Sequence, residues 1–147
     1  MHKTKEYDLE DYCLSSAYST VDIDRDGDLD IVTVPLDSSV IIYRNENHDR
    51  NNSILFTLDD QSTNNTFGYG ATVVISYTAN GQTIEQRQDV QSSGGYKSFN
   101  APAVHFGLGL TQSIQTVKVL WSDGQTSTIE GSLESGKYYK IIRGKAE

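Results

Sequence analysis

Several features that define common protein classes are missing from this sequence. Cysteine occurs once, as Cys13, so the chain cannot form an internal disulfide and has no cysteine cluster that could hold a metal. No run of lysine or arginine is present and the formal net charge is −8, whereas nucleic-acid-binding proteins usually carry a basic face. No apolar run approaches the ~18 residues of a membrane span. We therefore expect no nucleic acid partner, no anionic membrane surface and no membrane insertion.

Helical periodicity is also missing. No long stretch has apolar side chains at spacings of three and four, whereas short runs rich in β-branched residues recur along the chain. Asn80-Gly81 and Asp123-Gly124 are dipeptides typical of hairpin turns, and each separates two of these runs. Short strands divided by such turns are typical of an all-β sandwich or barrel. Strands are predicted at residues 31–34, 40–43, 53–58, 71–78, 82–90, 103–106, 116–121, 126–129 and 138–142.

Two of the predicted strands carry further information. Residues 82–90 alternate poorly between apolar and polar side chains, so this strand is predicted to lie at a sheet edge or to face solvent on both sides. Val117, Val119 and Trp121 alternate in phase, which predicts that they share one buried face. The alternative for Trp121 is an exposed platform on which a sugar ring would stack.

Residues 22–30 read Asp-Ile-Asp-Arg-Asp-Gly-Asp-Leu-Asp and have the spacing of a calcium-binding loop. Calcium takes six to eight oxygen ligands, which alternating carboxylates on a tightly curled loop supply. The predicted ligands are the carboxylates of Asp22, Asp24, Asp26 and Asp30 and the backbone carbonyl of Asp28. Gly27 occupies the sixth position of the loop, where the chain must turn sharply.

Two other interpretations of this loop compete with the calcium site. An EF-hand requires a glutamate at the twelfth position and flanking helices, but that position is Thr33 and a predicted strand follows the loop. The aspartates could instead form a solvated turn, although at short range they would repel one another without a cation. Magnesium fits less well because it prefers an octahedral, water-rich shell.

Blocks of sequence on both sides of a polar stretch at residues 44–53 resemble two known families. Residues 18–32, which contain the acidic loop, and residues 42–45 (Ile-Tyr-Arg-Asn) resemble an FG-GAP/VCBS repeat, a family that builds β-propeller blades with a calcium loop between strands. The downstream part resembles the ASPIC/UnbV domain, through Phe-Gly-Tyr-Gly-Ala at 67–71, Ser-Gly-Gly-Tyr at 93–96, His-Phe-Gly-Leu-Gly at 105–109 and Val-Lys-Val-Leu-Trp-Ser-Asp-Gly at 117–124. One departure is Ser122, where the family commonly has proline.

The resemblance implies a domain organisation and a setting. It places a partial propeller-type calcium segment at residues 1–50 and an antiparallel β-sandwich at residues 51–147. It implies an extracellular, periplasmic or cell-surface location and a non-catalytic role, but no defined ligand. Together with the acidic loop and the lack of a catalytic arrangement, it favours a calcium-binding module for adhesion or protein interaction, with an unknown protein or glycan as the ligand. A propeller needs several blades, so we expect the chain to be part of a longer multi-repeat protein. The alternatives are a carbohydrate-binding module and an accessory domain of a larger secreted enzyme.

The remaining candidate residues favour a structural role. His105 lies in a predicted strand, and the other histidines, His2 and His48, lie in polar segments, so no catalytic or metal-binding histidine group is predicted. Ser93 and Ser98 have no histidine and aspartate arrangement beside them, so no serine nucleophile and no enzymatic activity are expected. A tyrosine binding face is the weaker interpretation of Tyr69, Tyr96, Tyr138 and Tyr139.

Overall fold

The structure is a computed structural model that describes residues 2–3, 15–37, 39–46, 51–95 and 97–144. The chain is divided into two compact units, the first formed by Met1–Asp49 with Ser92–Ala101 and the second by Arg50–Gln91 with Pro102–Glu147. Strands dominate the described residues and no helix is present among them, which confirms the predicted all-β class. His48 and Tyr96 lie outside the described residues, as does Cys13.

The described residues form eleven strands, most of which match predicted ones. The strand bounds are β1 His2–Lys3, β2 Ser15–Val21, β3 Asp30–Pro35, β4 Ile41–Tyr43, β5 Asn52–Asp60, β6 Thr72–Ala79, β7 Gln82–Asp89, β8 Ala103–Gly109, β9 Ser113–Leu120, β10 Thr126–Glu134 and β11 Tyr138–Arg143. Strands β1 and β2 were not predicted; the sequence of β2, Ser-Ser-Ala-Tyr-Ser-Thr-Val, is mostly polar and has no apolar run.

The second unit is a β-sandwich, as predicted. One sheet has the strand order β10–β9–β6–β7 and the other has the order β11–β5–β8. Strand β7 lies at a sheet edge, which confirms the prediction drawn from its poor alternation. The pairing of β11 with β5 is parallel, whereas the other pairings in these two sheets are antiparallel. Strand β11 lies at the edge of this sheet, on the side of β5 opposite to β8.

The hairpin between β6 and β7 follows the turn prediction. Ala79 pairs with Gln82, so Asn80 and Gly81 form a two-residue loop. Both have positive φ, at 52° and 75°, which is the requirement of a type I′ turn. Asp123-Gly124 lies in the turn from β9 to β10, where Gly124 has a φ of 86°.

The hydrophobic core lies between the two sheets of the sandwich. Strand β5 contributes alternate residues, and β6, β8 and β9 supply most of the opposite and adjacent side chains. Trp121 is 3% exposed and Val117 and Val119 are fully buried, which confirms the predicted face and removes Trp121 as a sugar-stacking platform. The buried cluster consists of Ile54, Phe56, Leu58, Ala71, Val73, Ile75, Tyr77, Val90, Val104, Phe106, Leu108, Ile114, Val117, Val119, Trp121 and Ile141.

The first unit contains one four-stranded sheet with the order β1–β4–β3–β2. The strands β2, β3 and β4 pair antiparallel in chain order, and β1 pairs parallel with β4. None of the buried hydrophobic cluster comes from the described residues of this unit. The propeller-type blade predicted for this region stays a prediction. Polar contacts therefore have a larger share in ordering this sheet than in ordering the sandwich.

Candidate metal centre

The acidic loop connects β2 to β3, so a strand follows it, as the argument against an EF-hand requires. The loop curls through two residues in the left-handed backbone region, Arg25 with a φ of 62° and Gly27 with a φ of 99°. Glycine reaches this region without a steric penalty, which is the role predicted for Gly27. The positive φ of Arg25 has no signal in the sequence.

Hydrogen bonds from the backbone hold the first carboxylates in place. The two oxygens of Asp22 accept hydrogen bonds from the N–H groups of Asp26 at 3.2 Å and Gly27 at 2.8 Å. Asp24 also accepts a longer hydrogen bond from the N–H of Asp26, at 3.4 Å, and Asp26 in turn accepts one from the N–H of Asp28 at 3.0 Å. Asp22, Asp24 and Asp26 thus each accept a hydrogen bond from a backbone N–H two to five residues ahead, which curls the loop.

Asp30 anchors the loop at the start of β3. Its side chain is fully buried, and its oxygens accept hydrogen bonds from the N–H of Ile23 at 2.9 Å and the N–H of Asn45 at 2.8 Å. The Asn45 side-chain amide also reaches the carbonyl of Leu29, at 3.5 Å. Asp30 therefore joins the beginning of the loop to the chain that leaves β4.

The loop brings three of the five predicted aspartates together. One carboxylate oxygen each from Asp22, Asp24 and Asp30 lies within 4.8 Å of the other two. Two oxygens bound to the same calcium ion, at 2.3–2.6 Å each, lie at most about 5 Å apart. The three carboxylates are therefore close enough together to be candidate ligands of one cation. The carboxylates of Asp26 and Asp28 are not part of this group; for Asp28 the predicted ligand is the backbone carbonyl.

A guanidinium group faces the same carboxylates. The Nε of Arg44 lies 2.5 Å from Asp24 Oδ2, a guanidinium nitrogen lies 4.0 Å from Asp26 Oδ2, and Nε lies 3.7 Å from Glu46. Arg44 follows β4, and its position next to the loop results from the pairing of β4 with β3. Arg44 belongs to the segment that resembles the FG-GAP/VCBS repeat, but its contact with the loop was not predicted. It neutralises part of the negative charge of the loop.

A second polar cluster, in the sandwich, was also missed. Asp60 is 1% exposed and forms a two-point ion pair with Arg143, with Nε to Oδ1 at 2.9 Å and a second nitrogen to Oδ2 at 2.5 Å. Ser62 and Thr63 donate further hydrogen bonds to Asp60, and Arg143 also pairs with Asp123 at 2.9–3.0 Å. We call these residues, together with Trp121, the Asp60 cluster.

The Asp60 cluster is satisfied in itself. The Arg143 guanidinium makes the largest contribution to holding the pKa of Asp60 far below its usual range, and the hydrogen bonds from Ser62 and Thr63 add to it. The same ion pair raises the pKa of Arg143. The guanidinium carbon also lies 4.5 Å from the centre of the Trp121 ring, whose N–H donates to Ser127 at 2.8 Å. The cluster joins the ends of β5 and β11 to the β9–β10 turn, which indicates a structural role.

The described part of the chain shows no helix long and apolar enough to cross a membrane. His105 lies in β8, and its backbone carbonyl accepts a hydrogen bond from the Gln88 side chain at 2.6 Å. Of the tyrosines weighed as a binding face, Tyr69 and Tyr139 pack against the hydrophobic core and Tyr138 is 43% exposed.

The second unit defines the protein as an all-β module of the sandwich class. Residues 61–147 match the ASPIC and UnbV family, and because this is more than half of the chain, the chain belongs to that family. The matched region begins directly after β5, although β5 is an integral strand of the sandwich. No match to a curated protein was found. Membership of the family suggests a module of the extracellular type.

Proposed function

We propose that this protein is a non-catalytic, calcium-binding module that acts outside the cytoplasm in adhesion or protein interaction, with calcium in a structural role. The observation that carries the calcium part is the convergence of the Asp22, Asp24 and Asp30 carboxylates. The support for the setting is the family membership. The net charge of −8 fits a partner that is not itself strongly acidic.

Electrostatics explains why the loop would take up a divalent cation. Two carboxylates about 4 Å apart repel each other by roughly 4 kcal/mol at an effective dielectric constant near 20. Asp30 is fully buried and the Arg44 side chain is 37% exposed, so a single, partly solvated guanidinium offsets only part of this repulsion. A calcium ion held by Asp22, Asp24 and Asp30, with Asp26 and the Asp28 carbonyl as further ligands, would offset more of it.

The role of the ion would be structural because of where the loop lies. The loop joins β2 to β3 and, through Asp30, the end of β4, which are the strands of a sheet with no share in the hydrophobic core. An ion that binds only the folded loop stabilises it by mass action. At a free calcium concentration of one hundred times Kd, this amounts to about 2.7 kcal/mol.

Isothermal titration with calcium chloride tests the proposal. We expect one ion to bind per chain, and we expect the double variant Asp24→Ala, Asp26→Ala to give no heat of binding, because it removes two of the predicted ligands. Asp37→Ala is the control, since it removes a carboxylate of the same unit that lies outside the loop and is exposed. Equal calcium affinity in the double variant would contradict the assignment of the loop.

Arg44→Gln tests whether the guanidinium competes with calcium. The substitution removes a positive charge 2.5 Å from Asp24 Oδ2, so calcium should bind more tightly, by about tenfold if the competition is worth ~1.4 kcal/mol. Arg25→Gln, which removes the same charge from an exposed position of the loop, should change the affinity less. Equal effects of the two substitutions would mean that only the overall charge matters.

A further inference from the structure

The outer edge of the first unit's sheet is closed by side chains. Strand β2 lies at the end of the strand order, and its Tyr18 and Thr20 N–H groups point away from β3. The N–H of Tyr18 donates to Ser98 Oγ at 3.1 Å, and the N–H of Thr20 donates to Asn100 Oδ1 at 3.1 Å. Two alternate amides of an edge strand are thus bonded as a neighbouring strand would bond them, but by side-chain oxygens.

The two acceptors, Ser98 and Asn100, belong to the segment Ser92–Ala101, which follows β7 in the chain and is part of the first unit. The segment does not pair with β2 as a strand, because some of its backbone groups bond to one another. The N–H of Gly94 donates to the Ser98 carbonyl, and the N–H of Ser98 donates to the Gly95 carbonyl. Ser19 on β2 adds contacts of its own, from Oγ to Asn100 Oδ1 at 3.0 Å and to the Phe99 carbonyl at 3.1 Å.

A glycine positions the Asn100 amide in this segment. A Cβ at position 94 would lie 2.7 Å from the side-chain nitrogen of Asn100, so any larger residue at Gly94 would displace that side chain. Gly94 does not bond to β2 itself. It therefore offers a way to move the Asn100 amide off β2 without altering either bonding partner.

The bonds from Ser98 and Asn100 matter because the sequence of β2 has none of the features that keep an edge strand from pairing with another chain. Natural proteins guard edge strands with charged residues or proline, or they cover the edge with another segment. Ser15–Val21 contains no charged residue and no proline. Although the chain as a whole carries a net charge of −8, two copies of this uncharged strand could pair antiparallel without like charges facing each other.

We propose that Ser92–Ala101 acts as an intramolecular lock on the β2 edge, which prevents a second copy of the chain from adding its own β2 strand there. Ser98 and Asn100 occupy the hydrogen-bonding positions that the second copy would need. The lock and the pairing of copies are mutually exclusive because they use the same Tyr18 and Thr20 amides.

The double variant Ser98→Ala, Asn100→Ala tests the lock. At a concentration where the variant is monomeric, hydrogen exchange of the Tyr18 and Thr20 amides should become about tenfold faster, the effect of losing one intramolecular hydrogen bond. At higher concentration, sedimentation should show a dimer, and the protection of the same two amides should return. Fluorescence of Trp121, the single tryptophan of the chain, reports that the sandwich core remains folded.

Two further variants keep the test decisive. Gly94→Ala should reproduce the faster exchange at Thr20 because it displaces the Asn100 side chain, and it serves as the primary variant if the double variant does not fold. Asn100→Asp should retain the protection of Thr20, since an oxygen acceptor remains in place. Unchanged exchange in the double variant, or a variant that stays monomeric at all concentrations after protection is lost, would overturn the proposal.

Discussion

Replacing Arg143 with methionine should lower the free energy of unfolding by about 3–5 kcal/mol, the usual cost of removing one partner from a buried ion pair. Asp60 would remain buried at 1% exposure after losing both of its charged hydrogen bonds. Ser62 and Thr63 would still donate to it, but they carry no charge. The contact between the guanidinium and the Trp121 ring would also be lost.

The control for this prediction lies three residues earlier on the same strand. Lys140 pairs with Asp59, the neighbour of Asp60 on β5, at 2.6 Å, but the Lys140 side chain is 58% exposed. Exposed ion pairs contribute little, so Lys140→Met should change stability by less than ~1 kcal/mol. Urea unfolding followed by Trp121 fluorescence measures both variants. Equal losses of unfolding free energy in Arg143→Met and Lys140→Met would contradict the prediction, because the buried ion pair would then contribute no more stability than the exposed one.

The same cluster predicts a dependence of stability on acid. Its hydrogen bonds hold the pKa of Asp60 below the value of an unfolded aspartate, about 3.9. A carboxylate with a lowered pKa in the folded state contributes its full stability above the unfolded pKa and loses it as the pH falls through the folded one. Arg143 also lowers the pKa of Asp123, in the same direction. The wild-type protein should therefore lose stability below about pH 4 more steeply than Arg143→Met, which has less to lose.

The second large effect is expected at Asp30. Asp30→Ala should abolish the proposed calcium binding and expose residues 15–46 to protease, because it removes a buried carboxylate that accepts hydrogen bonds from the N–H groups of Ile23 and Asn45. Both hydrogen bonds are partly buried, so the loss of each contributes about 1 kcal/mol. The described residues of this segment contribute nothing to the buried hydrophobic cluster that could offset that loss.

Limited proteolysis with mass spectrometry measures the effect. In the wild-type protein with calcium, cleavage within residues 15–46 should be slow; a chelator, or Asp30→Ala, should accelerate it while Trp121 fluorescence remains native. Asp37→Ala, which removes an exposed carboxylate after β3, should behave like the wild type. If Asp30→Ala were cleaved no faster than the wild type, Asp30 would have no anchoring role.

Local sequence patterns were sufficient for much of the fold. Alternation along 116–121 predicted that Val117, Val119 and Trp121 are buried, and Asn80-Gly81 predicted the β6–β7 turn, because both signals depend on residues that are adjacent in the chain. The acidic loop was found from spacing alone, since the hydrogen bonds within residues 22–30 join residues at most seven apart. The ASPIC/UnbV part of the resemblance is confirmed; calcium binding and the FG-GAP/VCBS repeat stay predictions.

By itself the sequence determined the all-β class and most of the strands, and it predicted the acidic loop as a metal site. Only the tertiary structure decided which polar residues meet: Asp60 with Arg143, 83 positions apart, Arg44 with the acidic loop, and Asn100 with the edge of β2. The physical reason is that the local sequence does not distinguish a polar side chain that is buried and paired from one that is solvated. The difference between them lies in partners that come from other strands, as does the parallel pairing of β5 with β11.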